Sequence, residues 1–196
     1  MQPQGEEKLI VVSGPSGAGK TTVLRRVFEQ SPLPLRASVS ATTRPPRPGE
    51  RDGIEYHFLA PEEFAQRVDR GEFLECFEVF GHGYWYGTLW TEVTSGLRDG
   101  KWIVLDIDVH GAQAVVQKYP HAITIFVHPG SFAELERRLR NRGTETEDAI
   151  RRRLDEARHE LAQSHCYRHQ VVNDDLDRAV QQICDILQSY NTLRVA

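Results

Sequence analysis

The sequence predicts an α/β fold of three layers, with a parallel central sheet covered by helices on both faces and two smaller lobes hung on it. Three observations carry this reading. Short apolar runs rich in β-branched residues alternate with stretches of helical periodicity, the pattern of a doubly covered parallel sheet. The first run leads through a glycine-rich turn into a helix. Two long stretches, about residues 37–96 and 133–158, are too rich in arginine, proline, aromatic or charged residues to belong to such a core, which is left with about 8–36, 97–132 and 159–196.

Each element has its own signal. KLIVVS (8–13) reads as a buried strand and TTVLRRVFEQ (21–30) as the helix after it. From Ser31 to Gly53 the chain holds TTRPPRPGERDG, which favours extended backbone and turns. PEEFAQRVDRGEF is a helix opened by Pro61 with acidic residues in its first turn. Glycines and aromatics between Phe77 and Trp90 suggest strand, turn and strand. KWIVLDID is a second buried strand ending at Asp106 and Asp108, and GAQAVVQKY is helical. AITIFVH, stopped by Pro129, is a third strand. A charged helical stretch follows from Phe132 to Ser164, broken at NRGTETED; HQVVND is a last strand and LDRAVQQICDILQSYNTL a closing amphipathic helix.

Composition narrows the function classes. A chain of 196 residues suits one compact domain, and its net charge of -4 offers no basic field for nucleic-acid backbone. An anionic ligand would need locally clustered arginines. No apolar run is long enough to cross a bilayer, and MQPQGEEK lacks the basic-then-apolar pattern of a signal peptide. Cys76, Cys166 and Cys184 are odd in number and widely spaced, which fits a reducing cytoplasm. The histidines show no metal-ligand spacing.

Gly14-Pro15-Ser16-Gly17-Ala18-Gly19-Lys20-Thr21 is a complete G-x-x-x-x-G-K-[ST] phosphate loop between a strand and a helix, followed by Thr22. Backbone N–H groups of such a loop curl around an anion and the helix adds its N-terminal dipole. Lys20 can follow the β- and γ-phosphates, and the Thr21 hydroxyl can ligate a metal. A second anion site is suggested by SVSATTRPPRPGE (38–50): Arg44 and Arg47 offer guanidinium forks on a proline-stiffened segment, with hydroxyl donors from Tyr56 and Tyr86. A solvated arginine/proline loop is the alternative for this stretch taken alone. Asp106 and Asp108 end a strand at the carboxyl edge of the sheet, where α/β proteins bind ligands; one of them equally suits a helix cap.

GPSGAGKTT, SVSATTRPPRPGE with Tyr56, GEFLE, YWYGT, LDIDVHGAQ, RRLRNRGTETED and VVNDDLD occur in this order, and over nearly its whole length the chain resembles the guanylate kinases. The resemblance implies a P-loop NTPase core, a GMP-binding lobe and a helical lid, an ATP-dependent transfer to GMP, and Mg²⁺ near Thr21 and Asp106, directly or through water. It implies that Gly14 to Thr22 and Asn173 hold ATP, and that Arg44, Arg47, Tyr56 and Tyr86 bind the GMP phosphate with Glu50 orienting them. Ser40, Glu75 and Thr88, helped by Asp108, would read guanine. Lys20, Arg44 and the lid arginines Arg138, Arg142 and Arg153 would be catalytic. The substrates ATP and GMP would be its partners in purine nucleotide metabolism, without nucleic acid or membrane, as a cytoplasmic monomer or homodimer. The chain departs from the family in GHGYWYG, which carries two extra residues relative to G-N-Y-Y-G, and in His110, where glutamine is usual. Rival readings are a non-catalytic interaction module of the same fold, a P-loop kinase for another phosphorylated acceptor, and an NTPase switch. The first loses the phosphate loop, and the last needs no second anion clamp.

Overall fold

The computed structural model describes residues 8–78, 83–141 and 146–192. Its core is a five-stranded, all-parallel sheet in the order β2-β7-β1-β8-β9, formed by Leu35–Ala37, Trp102–Asp106, Leu9–Ser13, Ile123–His128 and His169–Val172. Pleating sends alternate residues of each strand to opposite faces. Ile10 and Val12 therefore pack with Val23 and Val27 of α1 (Lys20–Gln30) and Ile183 and Leu187 of α7 (Leu176–Thr192). Leu9 and Val11 pack on the other side with Val93 of α3 (Trp90–Arg98) and with Val109, Ala112 and Val115 of α4 (Val109–Lys118). All five β1 residues are buried, which explains their uninterrupted apolar run.

A second, mixed sheet of four strands runs β4-β3-β6-β5, from His57–Phe58, Ala41–Thr42, Trp85–Leu89 and Phe73–Glu78. Its small core gathers Ala41, Phe73 and Leu89 against Phe64 of α2 (Pro61–Asp69). The charged stretch forms two helices, α5 (Phe132–Asn141) and α6 (Glu147–Ala162), joined through their own apolar seam of Leu135, Leu139, Ile150, Leu154 and Ala157. Thr146 caps α6 by accepting the Ala149 N–H.

Two elements were not anticipated. α3 contains Thr91, Val93, Thr94 and Gly96, a poor helical sequence. It holds because Val93 and Leu97 dock on the core sheet and Gly96 lets the helix lie against Ile103, whose Cδ1 would stand 2.1 Å from an added Cβ. β2 has only three residues and is defined by its pairing with Trp102–Val104, a long-range partner that no local pattern announces. Glu92 of α3 ties the two sheets together. Its carboxylate accepts the Val39 N–H at 3.2 Å, meets His57 Nε2 at 3.1 Å and lies 3.7 Å from Arg36. No described helix is long and apolar enough to cross a membrane.

Candidate active site

The register of the core sheet sets Val12 beside Asp106 and Ser13 beside Phe126, so the carboxyl ends of β1, β7 and β8 open together. The loop after β1 lies over this edge. Gly14, at φ 149°, passes so near β8 that an added Cβ would stand 2.0 Å from the Val127 carbonyl oxygen. Gly17 and Gly19 also take positive φ, and Gly19 forms the N-cap of α1 in the left-handed region. This backbone turns the loop around the start of α1, as an anion cradle requires. Lys20 donates to the Gly14 carbonyl at 2.6 Å and stands 3.9 Å from Asp106. Thr21 is exposed in the same cleft. Asn173, buried after β9, donates its side-chain N–H to the Ala18 carbonyl at 2.7 Å and fastens the far side of the loop.

Facing the loop in one cavity of about 400 Å³ are Ser40, Arg44, Arg47, Glu50, Tyr56, Glu75, Tyr86, Asp106 and Asp108. Arg44 is 8% exposed and forks onto both oxygens of Glu50 at 2.9 Å, while donating to the Pro45 carbonyl at 2.7 Å. Its guanidinium lies 5.4 Å from the Tyr56 ring centre. Glu50 also accepts the Arg47 N–H at 2.7 Å, and that bond, with Arg44, holds its pKa below the usual carboxylate value. Tyr56 and Tyr86 meet edge to face at 5.8 Å. The result is a fixed cationic fork with a neutral aromatic rim.

In the same cavity, the β5–β6 pairing puts Glu75 opposite Thr88, both buried. The Thr88 hydroxyl donates to Glu75 Oε1 at 2.6 Å. Burial pushes the Glu75 pKa up to about 7, against the Thr88 hydrogen bond. Desolvation is the larger effect because one hydroxyl cannot replace the water lost around a carboxylate. Asp108 performs the capping role: it is the N-cap of α4 and accepts the Gly111 N–H at 2.7 Å. Asp106 remains the carboxylate beside Lys20, so the two acids of the strand end are divided between phosphate loop and helix cap.

The α5–α6 pair reaches the loop from above. Arg138 donates to the Asn173 carbonyl at 2.8 Å, to the Ala18 carbonyl at 3.5 Å and to Glu134 at 2.7 Å. Arg153 donates to Ser16 Oγ at 3.4 Å. Arg142 and the first two residues of GHGYWYG lie outside the described residues. The chain pattern had not singled out Glu160 of α6, which is 8% exposed and lines the same cavity. Its signal was present as a carboxylate on the apolar stripe of a helix, after Leu154 and Ala157.

A phosphate loop opposed across one cleft by a second, arginine-built anion site is the arrangement of a P-loop kinase acting on a small phosphorylated acceptor. Comparisons with known proteins give the family. The family model described as guanylate kinase matches residues 6–190. A guanylate kinase of Rhodopirellula baltica is 52% identical over 182 residues, covering 92% of this chain and 87% of the relative. One of Symbiobacterium thermophilum is 46% identical over 181 residues, covering 92% and 84%. The crystal structure of guanylate kinase from Anaplasma phagocytophilum superposes with a TM-score of 0.74 at 31% identity, covering 92% of this chain and 84% of that one. The chain belongs to the guanylate kinase family and is an enzyme, a nucleoside monophosphate kinase of the P-loop fold.

Proposed function

We infer that the chain catalyses ATP + GMP ⇌ ADP + GDP, with the phosphate loop holding ATP and the arginine–tyrosine clamp holding the phosphate of GMP. The observation that carries this reading is the pairing of two unlike anion sites in one cavity with a buried Glu75–Thr88 pair. Guanine presents adjacent N1–H and N2–H donors that a carboxylate accepts together, whereas adenine presents a bare acceptor and would leave Glu75 unpaired. Ser40 and Asp108 line the same cavity and would complete the base site. Arg44 and Arg47, with the hydroxyls of Tyr56 and Tyr86, grip the acceptor phosphate, and Glu50 aims Arg44 before the substrate arrives.

A GMP phosphate oxygen attacks the γ-phosphorus of ATP in line, the β–γ bridging oxygen leaves with ADP, and no covalent intermediate is needed. Lys20 gives up its loop carbonyl for the β- and γ-phosphates. Arg138, Arg142 and Arg153, carried by the α5–α6 lid, neutralise charge on the moving phosphoryl group. Gly14 to Thr22 wrap the phosphates of ATP, and Asn173 braces the loop at the nucleotide end. Closure of the GMP lobe and the lid on the core expels water that would otherwise hydrolyse ATP. The hard oxygens of Thr21 and Asp106 suit Mg²⁺, held directly or through water; bound there with ATP, the ion would offset phosphate charge. On this reading the chain is a cytoplasmic enzyme that engages small molecules, as monomer or homodimer, apart from nucleic acid and membrane.

A coupled ADP-release assay with GMP, AMP, CMP and UMP as acceptors tests the reading. Turnover is expected with GMP, and Glu75→Gln should lower kcat/KM for GMP by about 100-fold, since one guanine donor then faces an N–H. ATP hydrolysis that ignores the monophosphate would reject it, and an unchanged Glu75→Gln enzyme would remove Glu75 from the base site.

A further inference from the structure

Glu160 has no part in the mechanism above, yet it is 8% exposed and lines the cavity. It shares that cavity with Ser16 and Lys20 of the phosphate loop. Seven residues earlier on the same helix, Arg153 donates to the hydroxyl of that serine at 3.4 Å. α6 therefore touches the loop that exists to hold phosphate through Arg153, and it sets a buried carboxylate into the same cavity.

We propose that Glu160 opposes nucleotide at the phosphate loop: its buried carboxylate places a negative charge in the cavity that a polyphosphate enters, and that charge must be neutralised on binding. The proposal rests on the reading of this loop as the ATP site. The groups facing Glu160 are Lys20 at the start of α1, Glu156 on its own helix, Asp108 at the start of α4 and the Tyr167 hydroxyl before β9. Lys20 is the cation of that set and favours the carboxylate; Glu156 and Asp108 oppose it. Burial is the largest influence and brings the Glu160 pKa up to about 7. Phosphate binding draws Lys20 away and adds negative charge beside the carboxylate, so both changes favour the protonated acid. Nucleotide binding should then take up a proton at Glu160, and the neutral acid ceases to repel the phosphates.

The test is MgADP affinity by titration calorimetry for wild type and Glu160→Gln, which keeps the size of the side chain and removes its charge. Comparing the two proteins at each pH cancels the titration of the ligand. The variant should bind about equally at pH 6 and about tenfold more tightly at pH 8.5, where the wild-type carboxylate is ionised. A ratio that stays constant across this range would assign Glu160 a purely structural role and overturn the proposal. Wild type alone gives a second reading that does not depend on the folding of the variant. At pH 7.5, with the ligand's phosphates ionised, binding heats in buffers of different ionisation enthalpy should show net proton uptake; release or no change would overturn it. Failure of either protein to bind MgADP would instead reject the phosphate-loop reading itself.

Discussion

The Glu75–Thr88 pair illustrates how one hydroxyl governs a buried acid. Thr88 sits beyond the reach of solvent and its 2.6 Å bond is the principal stabiliser of the Glu75 carboxylate against desolvation. Removing it in Thr88→Val leaves volume nearly unchanged and takes away that donor, so the Glu75 pKa rises further. On the proposed reading, GMP needs the ionised form. Wild-type affinity for GMP should therefore fall as pH drops below about 7, and in the variant the fall should begin at higher pH. At neutral pH the loss should be about tenfold to a hundredfold, the worth of one hydrogen bond to a charged group. Calorimetric GMP titrations of both proteins at matched pH check this, since the ratio cancels the titration of the GMP phosphate. An unmoved profile would mean that Thr88 only packs. Glu75 and Thr88 were singled out by motif order and base chemistry, and the fold brings the two together. Glu160 was not, because a lone acid inside a helical stripe looks like an ordinary surface position until the phosphate loop is folded beside it.

At the level of elements, the strand–loop–helix unit is the most constrained part. Gly14 faces backbone: the Val127 carbonyl would lie 2.0 Å from any Cβ there, and β8 cannot yield without losing its pairing with β1. Gly14→Ala should cost about 3 kcal/mol or more of stability and abolish measurable ATP binding, as read by denaturant unfolding and nucleotide titration. A folded variant with normal ATP affinity would contradict the close approach. Local signals defined this unit well, because a buried β-branched run, glycines and a helix start follow one another within a short stretch. They failed for β2 and α3, whose existence depends on partners distant in sequence: Trp102–Val104 for the strand and Ile103 with the sheet face for the helix. The mixed sheet was legible only as strand–turn–strand, since β3 and β4 have two residues each and are defined by pairing, β3 with β6 and β4 with β3.

For the molecule as a whole, buried acids and exposed ion pairs pull stability in opposite directions with pH. Glu75 and Glu160 are both raised from 4.5 to about 7, so their folded forms hold protons that the unfolded chain has lost. Their support for folding is full below about pH 4.5 and is lost as pH rises through 7. Glu50, Glu134 and Asp174 are lowered by hydrogen bonds, chiefly from the Arg47 N–H, Arg137 and Arg178, and their support is lost as pH falls below the ordinary carboxylate range. His128 and His169, lowered by burial, also favour higher pH. The contribution of one buried acid is isolated by difference. Without nucleotide, Glu160→Gln should be more stable than wild type by about 2 kcal/mol at pH 8, and the gain should vanish by pH 4.5. Denaturant unfolding at the two pH values measures it, and a gain independent of pH would mean that folding does not shift the Glu160 pKa.

The Glu92 carboxylate, which holds the Val39 amide, His57 and Arg36 at once, has a mechanical consequence. It is a pivot post: a swing of the small sheet against the large one either carries the post along or detaches the strap that begins at Val39. The Val39 amide proton is thus a built-in clock hand, shielded while the joint is seated and open to exchange with solvent whenever the joint slips.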